Sequence, residues 1–231
     1  TVVGYTKGDL AVWREVMARS LAAAGARPGD MLHVAYGYGL FTGGLGFHDG
    51  AEHMGLTVVP LSSGSTLRQI RLLQDFRPQG LACTPSFALH IAEAMREQGI
   101  APASVGLRYG LFGAEPWTEG MRAQLETLWG MTALDFYGLS EMIGPGVAAE
   151  CRERAGLHVN EDHFLPEIVD PDTGAGRAPG VEGELVLTSL TKEALPMIRY
   201  RTGDVSALDP SPCACGRTTV RMARIKGRTD D

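Results

Sequence analysis

Apolar positions in the first 140 residues fall into helical stripes separated by short apolar runs. From Thr6 onward, Leu10, Trp13, Met17, Leu21 and Ala24 share one helical face. Thr6 followed by Asp9 is a capping-box start, and Gly25 and Pro28 close the helix. The runs MLHVAY (31–36) and TVVP (57–60) read as strands. TLRQIRLLQDF (66–76) reads as an amphipathic helix stopped before Pro78. GLACT (80–84) is a strand, FALHIAEAMREQG (87–99) a helix ending in Gly99, and GLRYGLF (106–112) a strand. A helix capped by Thr118 and Gly130 comes next, with Met121, Leu125 and Leu128 on one face, and then the strand TALDFY (132–137).

Strands alternating with helices predict an α/β fold, a parallel sheet covered by helices. After residue 150 the helical period vanishes. FLPEIVD, GELVLTSL and TTVRMARI, set between turn clusters such as DPDTGAGRAPG, predict a smaller β-rich subdomain. The expected division is therefore an α/β core over 1–150 and the β-rich unit over 151–231.

With 44% hydrophobic and 21% charged residues, the chain has the composition of an ordinary globular protein. A net charge of −6 without a basic run argues against nucleic-acid binding. The apolar stretch MLHVAYGYGLFTGGLGF is Gly-rich and contains His33, so no membrane span is predicted, and no secretory leader is expected. Four cysteines suit a reducing compartment, the cytoplasm, better than a disulfide scaffold. The chain opens on Thr1 rather than Met and closes on GRTDD, and is expected to be part of a longer polypeptide.

Candidate chemistry sits in three segments that come directly after predicted strands, where open α/β sheets bind ligands. YGYGLFTGG lacks the third glycine of a dinucleotide fingerprint, since Thr42 stands there, and the next strand ends at Pro60 without an acidic residue. It reads either as a loop filling core with Tyr36, Tyr38 and Phe41 or as an aromatic acyl pocket. GAEPW (113–117) reads as a Pro-stiffened turn or a ligand loop. YGLSE (137–141) offers an aromatic face, a bare backbone and a carboxylate suited to Mg²⁺. In LPMIRYRTGDV, Asp204 either caps a turn beside Arg201 or accepts both hydroxyls of a ribose. NEDH (160–163) is a polar turn.

Taken together, TVVGYT, HVAYGYGLFTGGLG, GAEPWTE, ALDFYGLSEMIGPGVAAEC, NEDHFLPEIVDPDTG, GELVLTSLTKEALPMIRYRTGD and IKGRTDD are similar to the phenylacetate–CoA ligases of the adenylate-forming superfamily, nearly end to end. The resemblance implies ATP-dependent activation of an aryl acetic acid to an acyl-adenylate, then transfer to coenzyme A with release of AMP. It implies that Gly113, Ala114, Glu115, Pro116, Asp135, Phe136 and Tyr137 hold adenine. Gly138 lies beside the ligand, Ser140 near the phosphates or acyl group, and Glu141 on magnesium. Asp204 and Arg228 take the ribose side. Tyr36, Phe41, Ala114, Gly138, Pro145 and Gly146 would line the aryl pocket, and Asp230 matches a lid hinge. The family's phosphate loop would precede Thr1 and its lid domain would come after Asp231, so this segment alone is expected to turn over negligibly. Small-molecule acid, ATP and CoA are the implied partners, and a homodimer is compatible with the sequence. Two other readings remain open at this point: a non-catalytic adenylate-binding module, and a ligase for a different aromatic acid.

Cys151, His158, Cys213 and Cys215 are ligand types that zinc prefers, and four of them describe a structural site. The alternative is buried thiols and a surface His. Relatives with similar paired Cys and His positions favour zinc. Cys83 reads as core.

Overall fold

The computed structural model describes residues 2–39 and 41–229; Asp230, the expected hinge, lies outside the described residues. Helix α1 (Lys7–Ala23) begins at the predicted capping box: Thr6 Oγ1 accepts from Asp9 N at 3.0 Å and Asp9 Oδ2 accepts from Thr6 N at 2.8 Å. Next along the chain come strand β1 (Met31–Val34), helix α2 (Thr42–His53), β2 (Thr57–Pro60), α3 (Thr66–Phe76), β3 (Gly80–Cys83), α4 (Pro85–Glu97), β4 (Tyr109–Phe112), α5 (Glu119–Trp129) and β5 (Thr132–Leu139). A 3₁₀ turn, Pro102–Val105, precedes β4. Strands β1 to β5 are parallel, in spatial order β2-β1-β3-β4-β5. The first switch point of this order therefore falls between β1 and β3.

Beyond β5 the chain reverses. Strand β6 (Gly144–Glu150) pairs antiparallel with β5, and β7 (Leu157–Val159), β12 (Arg221–Met222) and β11 (Leu208–Asp209) extend the same sheet to nine strands. The remaining strands, β8 (Phe164–Val169), β9 (Gly183–Ser189) and β10 (Tyr200–Ser206), form a separate antiparallel sheet. Sheet membership thus crosses residue 150, because β7, β11 and β12 join the larger sheet.

Two expectations are corrected. The segment after β1 is not a loop throughout, since α2 begins at Thr42. Its glycines hide the helix in the sequence, yet they serve close packing: a Cβ at Gly46 would lie 2.8 Å from the Trp13 ring, and one at Gly50 would lie 3.0 Å from the Met17 carbonyl carbon. Likewise the stretch 133–146 is a hairpin, with Tyr137 to Leu139 still in β5 and only 140–143 forming the turn. A bulge falls between Tyr137 and Gly138, where a Cβ would sit 2.7 Å from Pro145 Cα.

The larger sheet divides the core in two. Trp13, Val16, Met17, Phe47, Phe136 and the hairpin residues Ile143 and Val147 pack together on one face. On the other, Ile70, Leu73, Ile91, Met95, Leu125 and Trp129 pack against Leu81 and Phe112.

Candidate functional site

The carboxyl ends of β4 and β5 lie side by side, with Phe112 in register with Asp135. A cavity of ≈ 380 Å³ opens at these ends, lined by Gly113 to Trp117 after β4 and by Asp135 to Gly138 at the end of β5. The far wall is the segment from Met222 to Arg228 together with Asp204 of β10. Ala114 has φ 65, a left-handed conformation that a non-Gly residue adopts under local constraint. At Gly113 a side chain would meet Phe136 O at 2.7 Å.

Asp204 closes the cavity over Tyr137. Tyr137 Oη donates to Asp204 Oδ2 at 2.5 Å, and Arg228 Nη1 lies 3.4 Å from Oδ1. Burial and the adjoining Asp204 carboxylate push the Tyr137 phenol well above its ordinary value, so it stays a donor. Residues 67 positions apart are therefore joined across two sheets. Of the two readings of Asp204, the pairing with Arg201 does not form, because Arg201 bonds Glu184 instead.

Asp135 is buried at the cavity's inner end and accepts from Arg224 Nε at 2.8 Å. Burial nevertheless pushes its carboxyl up to about 6, against the pull of Trp117 and Arg224. Arg224 also donates to Trp117 O at 2.7 Å and pairs with Glu119. The Trp117 ring carries two guanidiniums, Arg224 at 4.5 Å and Arg122 at 4.8 Å. Arg122 in turn makes a buried pair with Glu150 at 2.9 Å, and Glu150 accepts Asp135 N at 2.7 Å. Sequence reasoning missed Arg224 and Arg122. Arg224 bonds partners 89 to 107 positions away and Arg122 reaches Glu150 across 28, so no local spacing announces them.

Glu115 lines the same cavity, but its carboxylate accepts Ser86 N at 2.7 Å and Ser86 Oγ at 2.9 Å, stitching the 113–117 loop to the first turn of α4. Ser140 lies in the hairpin turn, its Oγ 3.4 Å from Thr42 Oγ1 at the start of α2. Glu141, next to it, offers a carboxylate with no hydrogen bond or ion pair to any described residue. Its charge is felt by Tyr200, which also feels Asp204 and Arg228, so the turn and the cavity's outer wall share one electrostatic neighbourhood.

The six expected aryl-pocket residues are spread over three surroundings. Ala114 and Gly138 line the cavity just described. Tyr36 and Phe41 line a second, more open crevice at the β1/β3 switch point, with Thr84, Phe87 and His90. Pro145 and Gly146 face α1: Pro145 O accepts Trp13 Nε1 at 2.8 Å, and a Cβ at Gly146 would lie 2.8 Å from Val16. The buried Tyr36 bridges the two cavities, its hydroxyl donating to Cys83 O at 2.5 Å and reaching Gly113 O at 3.2 Å.

The cysteine and histidine pairs do converge. Sγ atoms of Cys151, Cys213 and Cys215 and a ring nitrogen of His158 all lie within 4.8 Å of one another. Cys151 Sγ is 3.8 Å from Cys213 Sγ, and Cys215 Sγ is 3.5 Å from His158 Nε2. The β6–β7 hairpin supplies the first pair, and the segment leading into β12, which pairs with β7, supplies the second. Thr219 Oγ1 holds His158 Nδ1 at 3.1 Å. Burial and the charges of Arg217 and Arg221 keep this imidazole below its ordinary value. The Cys215 thiol, which burial would raise, is brought down to about 7 by the backbone and side chain of Arg217.

Among the described residues, no helix is long and apolar enough to cross a membrane. Residues 45–191 match the family described as AMP-binding enzyme. The whole chain aligns at 61% identity with a phenylacetate–coenzyme A ligase of Thermus thermophilus, covering 52% of that protein. It aligns at 54% with one of Escherichia coli, covering 53%. The fold superposes with a TM-score of 0.95 and 30% identity on 2-hydroxyisobutyryl-CoA ligase in the postadenylation state in complex with 2-HIB-AMP, over 100% of this chain and 50% of that one. The chain spans about half the length of the curated relatives it matches. With a cavity at the carboxyl ends of β4 and β5 and a family match covering most of its length, the chain belongs to the AMP-binding enzymes.

Proposed function

We propose that this chain is the nucleotide- and acyl-binding portion of an AMP-forming ligase. It would join an aryl acetic acid, phenylacetate, to coenzyme A through an acyl-adenylate. The observation that carries the reading is the Tyr137–Asp204 contact, which brings a flat aromatic face and a two-oxygen acceptor to one cavity rim. Identity of 54–61% to curated phenylacetate–coenzyme A ligases supports the substrate class.

A carboxylate resists attack until one oxygen is turned into a good leaving group; its attack on the α-phosphate of ATP, which expels pyrophosphate, does this, and the CoA thiol then displaces AMP. In this reading the adenine lies between Gly113–Ala114–Glu115–Pro116 and Asp135–Phe136–Tyr137, with Gly138 beside it. Asp204 accepts from the ribose hydroxyls and Arg228 steadies it. Ser140 bonds the phosphate or acyl oxygen. Glu141 would hold magnesium, which neutralises charge on the phosphates when bound; its unengaged carboxylate fits that ion's preference for one or two carboxylates plus phosphate oxygens. Tyr36, Phe41, Ala114, Gly138, Pro145 and Gly146 would shape the aryl pocket, Tyr36 acting as the wall between the two cavities. Asp230 would be the hinge of a lid.

Zinc at Cys151, His158, Cys213 and Cys215 is part of the same reading. Tetrahedral Zn–S bonds of about 2.3 Å separate sulfurs by about 3.8 Å, and the Cys151–Cys213 spacing is 3.8 Å. The ion would tie β6–β7 to β12 and so steady the cavity's far wall. A reducing cytoplasm suits the four free thiols.

The test is a melting curve with a non-hydrolysable phenylacetyl-adenylate. At 100 times its Kd the ligand should add about 2.7 kcal/mol, or roughly 5–10 °C in a chain of this size. Asp204→Ala should abolish the shift, and no shift in the unsubstituted chain at millimolar ligand would overturn the proposal.

A further inference from the structure

Three carbonyls of the β5–β6 hairpin, alternating along the chain, are each met by a side chain from elsewhere. Lys192 Nζ donates to Glu141 O at 3.2 Å, Tyr5 Oη to Ile143 O at 3.2 Å, and Trp13 Nε1 to Pro145 O at 2.8 Å. These donors form a continuous stack. The Lys192 ammonium lies 4.9 Å from the Tyr5 ring, and Tyr5 lies on Trp13 with centroids 5.3 Å apart and planes 10° from parallel. Lys192 is only 7% exposed.

The stack is anchored from behind by α1. Asp9 Oδ1 accepts Glu193 N at 2.7 Å and Oδ2 accepts Ala194 N at 3.0 Å, which fixes the two residues after Lys192. Thr6 Oγ1 adds a 2.6 Å bond to Glu193. Trp13 sits one turn after Asp9 on the same helix. One capped helix end therefore holds both the loop bearing Lys192 and the turn bearing Glu141.

We propose that Lys192 and Tyr5 are positioning residues for Glu141, clasping the Ser140–Glu141 turn against α1 so that its carboxylate is presented in a fixed place. A neutral donor would satisfy the carbonyl equally well. An ammonium buried against a carbonyl and a ring also brings a positive charge whose field reaches the Glu141 carboxylate. This inference rests on the reading of Glu141 as the magnesium ligand given above.

The test uses Lys192→Met, which keeps the stem, Tyr5→Phe, which keeps the stack, and Lys192→Arg. In a full-length ligase containing this segment, each of the first two should raise the magnesium concentration for half-maximal adenylate formation about fivefold, the value of one hydrogen bond. The KM for the acid should stay within about twofold, and Lys192→Arg should recover most of the loss. In the chain itself, amide hydrogen exchange over 139–146 should accelerate about fivefold or more in Lys192→Met and Tyr5→Phe. Faster exchange with unchanged magnesium dependence would reduce the clasp to a structural contact, and unchanged exchange would overturn it outright. If the unsubstituted ligase forms no adenylate at any magnesium concentration, the functional reading fails, while exchange still decides whether the clasp exists.

Discussion

The carboxyl of Asp135 sits at the inner end of the cavity with Arg224 as its ion-pair partner, yet burial dominates and lifts its pKa to about 6. In the unfolded chain the same group titrates near 3.8. The folded state thus binds this proton more tightly, and stability falls as pH rises from about 4 to about 6, remaining low above that. At about 1.4 kcal/mol per pH unit, the ionised carboxylate costs the fold about 3 kcal/mol above pH 7 and about half as much at pH 5. Asparagine copies the protonated form in shape and charge. Asp135→Asn should therefore stabilise the chain by about 3 kcal/mol at pH 8, which is about 6–12 °C in melting temperature. The gain should shrink by half at pH 5. Parallel thermal melts of both proteins at the two pH values measure it. A gain independent of pH, or a loss at pH 8, would refute the reasoning, because the Arg224 ion pair would then outweigh burial. The substitution also separates stability from function. Binding of the adenylate analogue should weaken although the fold is more stable, since the amide places a donor where a carboxylate only accepts.

Gly50→Ala should destabilise by about 1–2 kcal/mol in urea unfolding, because overpacking against Met17 and Ala18 outweighs the gain of about 1 kcal/mol in helix propensity. Gly120→Ala in α5, with its nearest atom at 3.6 Å, should be neutral or stabilising, and the same outcome at both sites would argue against the packing account. Arg122→Met leaves the Glu150 carboxylate buried without its guanidinium and should cost about 3–5 kcal/mol; Arg122→Met with Glu150→Gln, which removes the charge and keeps an acceptor for Asp135 N, should recover most of that. Protein purified without chelator should contain one zinc per chain by elemental analysis, and Cys213→Ser should lower both the zinc content and the melting temperature. Metal-free protein with unchanged stability would leave the four side chains as a packed thiol cluster.

Elements whose signals are local were legible in the sequence. The Thr6–Asp9 box, the Thr118 cap and the Gly130 stop mark α1 and α5 because those hydrogen bonds join residues three or four apart. Helix α2 was not legible, since its glycines score against a helix. They are set by α1, which crosses so closely that Gly46 and Gly50 admit no side chain. Strand β6 was hidden for a related reason: Gly-Pro-Gly reads as a turn, yet all seven of its residues are buried in the hairpin. For the site, Asp204, Tyr137 and the 113–116 loop were accessible through resemblance, and the zinc-type ligands through residue chemistry. Arg224 and Lys192 were not, because a guanidinium or an ammonium acquires its meaning here from partners 51 to 107 positions away.

Strand β5 explains why these pieces converge. In a parallel sheet each strand ends beneath a loop, and the loops gather at the carboxyl edge, as Gly113 to Trp117 do after β4. β5 ends differently, continuing through Leu139 as one arm of a hairpin with β6. The backbone of Tyr137 is therefore held by strand pairing rather than by a loop, and its hydroxyl is held by Asp204. The reversal at β6 also carries the chain back past Glu150, whose carboxylate reaches Asp135 N and Arg122 beneath the cavity floor. It then leads through β7, whose pairing with β12 brings Arg224 and Arg228 to the opposite wall. One change of strand direction thus builds the floor, one rigid side and the far wall of the site. Disturbing the hairpin should affect binding of the adenylate analogue more than an equal loss of stability in α3, none of whose residues line the cavity.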